Sequence, residues 1–174
     1  MRYAALAAAV SVLGGVGIAF AAGVIVPARK PGLWEMRMTT GHGGSEASME
    51  MCVDQATDKE MMDASLSIIT AMCPMPVWSR DGRSIIISAD CQMSTGRTVI
   101  SRAELSGDFQ YQYWFQMNTK TGVGASSSTE LKHQFTWLAD DCGKGLKPGY
   151  IKLPNGSKMN FKHMMSLIDN INSN

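Results

Sequence analysis

Charge is what this chain has least of. Only 18% of its 174 residues are Asp, Glu, Lys or Arg, and 16 basic against 15 acidic residues leave a formal net charge of +1. The charges are scattered, so nothing favours nucleic acid or an anionic membrane surface as a partner. Histidine is scarcer still: His42, His133 and His163 stand far apart. No Cys-x-x-Cys pair is present and no His lies near a Cys, which argues against a structural metal site. No Gly-x-Ser-x-Gly element is present either, so a triad of Ser127, His133 and Asp140 lacks a nucleophile elbow. Repeats at solenoid spacing and low-complexity linkers are also missing. These absences point to one non-enzymatic domain without a cofactor.

What is there begins with a leader. Arg2 is a short positive region, Ala4 through Phe20 is an apolar run, and Ala19-Phe20-Ala21 presents small residues where a signal peptidase reads. The expectation is a signal peptide over 1–22, cleaved after Ala21 or Ala22, with a retained membrane anchor as the rival. Residues 23–174 then form a single β-rich periplasmic domain, long enough to bury a core and without stable membrane insertion. Its four cysteines, Cys52, Cys73, Cys91 and Cys142, are an even set suited to two disulfides in an oxidising compartment. Three pairings are possible. The predicted one is Cys52–Cys73 with Cys91–Cys142, because the helix between the first two can bring its ends together.

The most informative stretch is 107–117. Phe109, Tyr111, Tyr113, Phe115 and Met117 share one parity, and Gln110, Gln112 and Gln116 share the other. Side chains alternate faces along a strand, so this predicts an aromatic row on a core and a polar row in water. Such alternation belongs to antiparallel sheets. Trp114 breaks the rule, a large ring on the polar parity, and the C-terminal helix is expected to cover it.

Other segments repeat the strand period. Trp34, Met36 and Met38 alternate with Glu35, Arg37 and Thr39; 41–45 is a connection, and 48–52 pairs back. Ile85, Ile87, Ala89 and Cys91 share a face, as do Val99, Ala103 and Leu105, and then Leu131, His133, Phe135 and Trp137. Asp81-Gly82 reads as a type I′ hairpin turn, and 121–128 as a Gly/Ser loop. Between 52 and 73 the period becomes helical. Thr57-x-x-Glu60 has capping-box spacing; Met62, Leu66, Ile69 and Cys73 form a face widened by Met61, Ile68 and Met72; Pro74 and Pro76 end it. A terminal helix carries Phe161, Met164, Met165 and Ile168 at helical spacing. The predicted fold is therefore mainly β: an antiparallel meander, as a curled sheet or small barrel, with one inserted helix and one C-terminal helix.

Several of these residues also carry a family resemblance. Pro31-Gly32-Leu33-Trp34-Glu35, Met51-Cys52-Val53 before a helix closed by Cys73, then Cys91, Ser106-Gly107-Asp108-Phe109 and Trp137-Leu138-Ala139-Asp140-Asp141-Cys142 occur in that order. Together they resemble domain-of-unknown-function family 3617 over residues 31–142. The resemblance implies a small exported protein of a Gram-negative bacterium, often Met-rich, and implies no activity. Residues 143–174 continue past that pattern as a C-terminal extension.

Two ligand chemistries suit what remains. The aromatic strand can line a site for a small apolar ligand, or meet an envelope protein, with Tyr111, Tyr113 and Trp114 as the candidate contacts. Alternatively the 14 methionines include pairs whose thioethers favour Cu(I), with Met49, Met51 and His42 the nearest to a metal set. Most of those pairs share parity with core positions, which is how Met fills irregular gaps. The expected function is thus a non-enzymatic binding domain for an apolar ligand or envelope partner.

Overall fold

The computed structural model of the protein describes residues 24–40, 46–73, 76–92, 96–122, 127–143 and 145–172, with side chains at all of these except 40, 65–72 and 167–172. The leader, the 41–45 connection with His42, Pro74, and the side chains of Leu66, Ile68, Ile69, Met72 and Ile168 lie outside the described set. Nine strands form one sheet: β1 (Gly32–Thr40), β2 (Ala47–Val53), β3 (Val77–Asp81), β4 (Ser84–Gln92), β5 (Thr98–Gly107), β6 (Gln112–Gly122), β7 (Ser127–Ala139), β8 (Tyr150–Lys152) and β9 (Lys158–Asn160). Helix α1 (Gln55–Met72) is inserted between β2 and β3, and α2 (Phe161–Asn172) ends the chain. The strand order is β3-β4-β5-β6-β7-β1-β2-β8-β9, every pair antiparallel. β3 and β9 are the edges and do not pair, so the sheet is open and the barrel alternative is corrected.

Alternation decides which face is the core. Trp34 and Met36 on β1, Met51 on β2, Ile85 and Ile87 on β4, Ala103 and Leu105 on β5, Tyr113 on β6 and Phe135 on β7 are all buried in one cluster. Their outward neighbours are polar and pair among themselves: Glu35 accepts from Arg37 and Ser48, Glu130 accepts from Gln116, and Glu104 accepts from Ser84. Ile86 departs from the alternation and is also buried, so β4 is apolar on both parities near its start. The extension past Cys142 is part of the same fold. β8 adds to β2, the Gly149 amide donates to the Cys52 carbonyl at 2.9 Å, and Phe161 and Met165 of α2 enter the core.

Three local expectations are corrected. The hairpin after β3 turns on Gly82 and Arg83, with Asp81 paired to Ser84. Gly82 has φ 57° while Arg83 is not left-handed, the pattern of a II′ rather than a I′ turn. The strands around the 121–128 loop run further than expected, to Gly122 and from Ser127, because the Thr121 and Ser127 hydroxyls bond across the ladder at 2.7 Å. The cap of α1 lies three residues earlier than the sequence suggests. Asp54 Oδ1 accepts from the Thr57 amide at 2.8 Å, and Thr57 Oγ1 accepts from the Asp54 amide at 2.9 Å. That reciprocal box satisfies first-turn donors and holds the Asp54 carboxyl below its ordinary range. Glu60, freed from capping, pairs with Lys162 of α2 at 3.1 Å.

The disulfides are Cys52–Cys142 and Cys73–Cys91, which corrects the predicted pairing. A straight helix keeps its ends apart: 18 residues span about 27 Å, so residues flanking α1 cannot meet. Cys73–Cys91 instead ties the end of α1 to β4, while Cys52, on β2 just ahead of α1, is bound to Cys142 beyond β7. Val53, just before α1, is level with Gly32 at one end of the strands, and Cys91 is level with Val99 and Thr121 at the other. On a flat sheet of strands about 4.8 Å apart rising about 3.3 Å per residue, these two anchors would be about 45 Å apart. That exceeds the reach of α1, so the sheet curves around the helix.

Loop length ranks the two bridges. The sequence separations are 90 residues for Cys52–Cys142 and 18 for Cys73–Cys91. Loop closure makes the first worth about 4–5 kcal/mol and the second about 3 kcal/mol. Urea denaturation of Cys52→Ala/Cys142→Ala and Cys73→Ala/Cys91→Ala is expected to show the larger loss in the first pair. The reverse order would contradict the arrangement.

Candidate functional site

The inner face of the sheet has two zones, and the first is built around a cation. Arg29, 6% exposed, enters the core just ahead of β1, and Asp58, 4% exposed, meets it from the first turn of α1. The Arg29 amide donates to Asp58 Oδ2 at 3.0 Å and Arg29 Nε to Asp58 Oδ1. Nη1 donates to Met51 Sδ at 3.0 Å and to the Tyr113 hydroxyl at 3.4 Å. One guanidinium thus ties the N-terminal segment, β2, β6 and α1 together. Burial alone would lower Arg29, yet Tyr113 and Asp58 hold it above its ordinary value. Burial pushes the Tyr113 hydroxyl up to about 12 despite the neighbouring cation, so it serves as a neutral acceptor.

Around this node the aromatic rings close in. Tyr113 stacks on Phe135 at 4.3 Å and on Phe109 at 4.7 Å, and Trp34 meets it edge-on at 5.7 Å. The segment ahead of β1 seals the zone: the Lys30 amide donates to the Phe109 carbonyl at 3.1 Å, Gln110 Nε2 to the Ala28 carbonyl at 3.2 Å, and Arg80 Nη2 to the Ile25 carbonyl at 3.0 Å.

The second zone lies further along the same strands and is open. Register sets Phe115, His133 and Met38 side by side on β6, β7 and β1. Met117 and Leu131 follow on the next row, and Met36 pairs with Met49 on the row before. Met38, Met49, Phe115 and Met117 are half-buried and continuous with the core. His133 is half-buried between Phe115 at 5.8 Å and Phe135 at 6.1 Å, and burial lowers its pKa. Among the described residues its side chain makes no hydrogen bond.

The residues singled out from sequence separate. Tyr113 is inside, its hydroxyl spent on Arg29. Tyr111 is 58% exposed and Trp114 is 44% exposed, so the three are not one site. Tyr111 leaves the row because β6 starts only at Gln112. Asp108 Oδ1 accepts from the amides of Tyr111, Gln112 and Gln110 at 2.8, 3.0 and 2.8 Å, which holds that carboxyl below its usual range. Phe109 takes a left-handed φ of 58° within this turn. Its ring goes inward and Tyr111 goes outward onto Trp137, whose other neighbour is Lys30 Nζ at 3.4 Å from the ring centre. Trp114 is not covered by α2, which packs on β9 and α1 instead.

Of the thioether set, Met51 is 3% exposed and committed to Arg29, Met49 is half-buried beside Met36 at the level of Phe135 and Tyr113, and His42 is outside the described residues. Among the described residues no three His, Cys, Asp or Glu side chains gather to hold a metal ion. Ser127 and His133 sit at different levels of β7, and Asp140 lies beyond its end beside Lys30. Sequence inspection missed Arg29 altogether. Its one trace was Asp58, an acid three residues before the buried Met61 and so on the inward face of α1.

Two measurements probe these zones. Arg29→Met or Asp58→Asn strands a buried partner and is expected to cost about 3–5 kcal/mol, while Arg29→Met/Asp58→Leu costs less than either single change. Urea titrations of the three variants check this. For His133 the folded-state pKa lies below the unfolded value of about 6.5. As pH falls through that value the unfolded chain takes up a proton that the folded chain resists, so stability is lost. Melting temperatures measured from pH 7 to pH 5 should fall, and His133→Gln should remove that part of the slope.

Comparison with known proteins agrees with the motif order. Neither a curated protein nor a solved structure matches the chain. A family model does match, over residues 29–142, from the buried Arg29 to the disulfide-bonded Cys142. The chain belongs to the family described as protein of unknown function DUF3617.

Proposed function

We propose that the protein is an exported, non-enzymatic binding module of the periplasm that holds an apolar ligand on the inner face of its sheet. The observation that carries this is the half-buried row of Met38, Phe115, Met117 and Leu131 around His133. These residues sit on β1, β6 and β7, central strands whose inner face is fully buried one row away at Tyr113 and Phe135. A row with the same composition and the same strands, left half open, has the chemistry of a pocket lining: mostly apolar with one polar group. Methionine suits such a lining because its unbranched thioether adapts to the shape it meets.

Export is supported by the two disulfides, which belong to oxidising compartments, and by the apolar Ala4–Phe20 run with small residues at 19 and 21. Among the described residues no helix is long and apolar enough to cross a membrane. The non-enzymatic reading rests on the neighbours of His133, which among the described residues are the aromatic Phe115 and Phe135 and the thioether Met38.

Titration of the purified protein with cis-parinaric acid, a fluorescent polyene fatty acid, tests the reading. The expected outcome is saturable fluorescence with a low-micromolar midpoint, weakened at least tenfold by Met117→Glu and unaffected by Trp114→Gln on the opposite face. Fluorescence that never saturates, or that follows Trp114 and ignores Met117, would reject it.

A further inference from the structure

One polar side chain on the inner face has no partner. On β7, His133 stands between Phe115 of β6 and Met38 of β1, with Leu131 and Phe135 on either side of it along the same face. Its diagonal neighbours include Met36, Met117 and Tyr113, whose hydroxyl is already engaged by Arg29. Among the described residues the imidazole makes no hydrogen bond, although one ring nitrogen of a neutral imidazole donates and the other accepts. Other polar side chains of this face are paired: Arg29 with Asp58, Trp34 Nε1 with the Lys30 carbonyl at 2.8 Å, and Ser101 with Thr119 at 3.2 Å. A half-buried polar group without a partner is costly, and a leucine would fill the same place at no such cost. The unused donor and acceptor are free for a ligand.

The surrounding charges select what that ligand presents. On β7, Glu130 and Lys132 have the outward parity and pair with each other, as do Glu35 and Arg37 on β1. On β6 the one charged residue, Lys120, is outward and exposed. On α1, Asp58 is paired with Arg29, Lys59 with Asp63 and Glu60 with Lys162 of α2; 64–72 contains no ionisable residue. His163 of α2 is exposed. Among the described residues His133 therefore has no counter-ion, and burial lowers its pKa, which leaves it neutral at pH 7. An alcohol would give it one neutral hydrogen bond. A carboxylate does more, because it draws a proton onto the ring and accepts a charge-assisted bond. A dianionic phosphate would need a second cation, and Arg29 is already neutralised by Asp58.

We propose that His133 receives the head of an aliphatic carboxylic acid, whose chain lies on Met38, Phe115, Met117 and Leu131, and that binding takes up a proton. This rests on the binding function proposed above and adds the chemistry of the ligand's head group. Packing sets the direction of the chain. The level of Tyr113 and Phe135 is sealed, so the chain runs from His133 toward Met117 and Leu131, about 7 Å further along the strands. The proton comes from solvent and the acid stays ionised. Because the free imidazole is neutral at pH 7 and the bound one is protonated, affinity rises as pH falls through the bound-state value.

NMR titration of the histidine rings of the purified protein, between about pH 5.5 and pH 8.5, tests this, with binding followed at the methyl groups of Met38 and Met117. Saturating decanoate is expected to raise the His133 midpoint by about one pH unit and leave His163 unmoved. Saturating 1-decanol, which has the chain without the charge, is expected to bind and leave the His133 midpoint in place. The dissociation constant for decanoate is expected to fall about fivefold from pH 8 to pH 6, and His133→Gln to abolish that dependence. Bound decanoate with an unmoved His133 midpoint overturns the acid head and leaves the binding function standing. An equal rise at His163, an equal rise with 1-decanol, or binding of 1-decanol alone does the same. No saturable change with either compound overturns both. Should His133→Gln fail to fold, the wild-type midpoints decide.

Discussion

The fold depends on burying one guanidinium well. Arg29 carries its charge into a core of aromatic, aliphatic and thioether side chains, where an isolated ion would be prohibitive. Asp58 neutralises it, and Met51 and Tyr113 accept hydrogen bonds from its Nη1. Because these partners come from α1, β2 and β6, the pair forms only when helix, sheet and N-terminal segment are all in place. A buried ion pair is often no more stabilising than a hydrophobic replacement. Its effect here is directional: it specifies where α1 begins and which turn faces the sheet.

The two disulfides extend that control along the helix. Cys52–Cys142 secures the chain just ahead of α1, where Cys52 is fully buried, and it also holds the start of the C-terminal segment. That segment lies beyond the family match, yet it contributes β8, β9 and two core residues from α2. In this chain the family unit is therefore completed by its own tail, with Lys152 pairing to Glu50 at 3.0 Å across the join. Cys73–Cys91 secures the other end of α1. The two zones share the same strands, and the segment ahead of β1 closes the first.

Much of the fold was legible because period-2 alternation is a local property. The inward residues of β1, β4, β5 and β7 were readable from parity alone, as was the presence of both helices. What failed was long-range or depended on turn chemistry. Parity carried the aromatic row back to Phe109, but one carboxylate, Asp108, gathers three amides and reverses Tyr111. The cysteine pairing followed sequence proximity, whereas the rigid length of α1 forbids its flanks to meet. Trp114 was assigned to α2 because that helix had an apolar stripe in need of a surface; the surface is β9 and α1. Arg29 was invisible because a single cation before a strand looks like solvent-facing charge, and its partner lies 29 residues away. The site was legible only in part: parity reads Met38 and His133 as inward positions of their strands, but nothing local tells that their row stays half-buried while the next one closes.

The functional account reduces to a distinction among methionines. Met38 and Met117 are half-buried around His133, whereas Met51, beside Arg29, and Met61, on the inward face of α1, are sealed in the core. Carbon-13 labelling of the methionine methyl groups, followed by NMR during titration with a long-chain fatty acid, reads both groups in one experiment. The account predicts saturable shifts at Met38 and Met117 with Met51 and Met61 unmoved. Shifts confined to methionines away from that row, or no shifts at all, would contradict it.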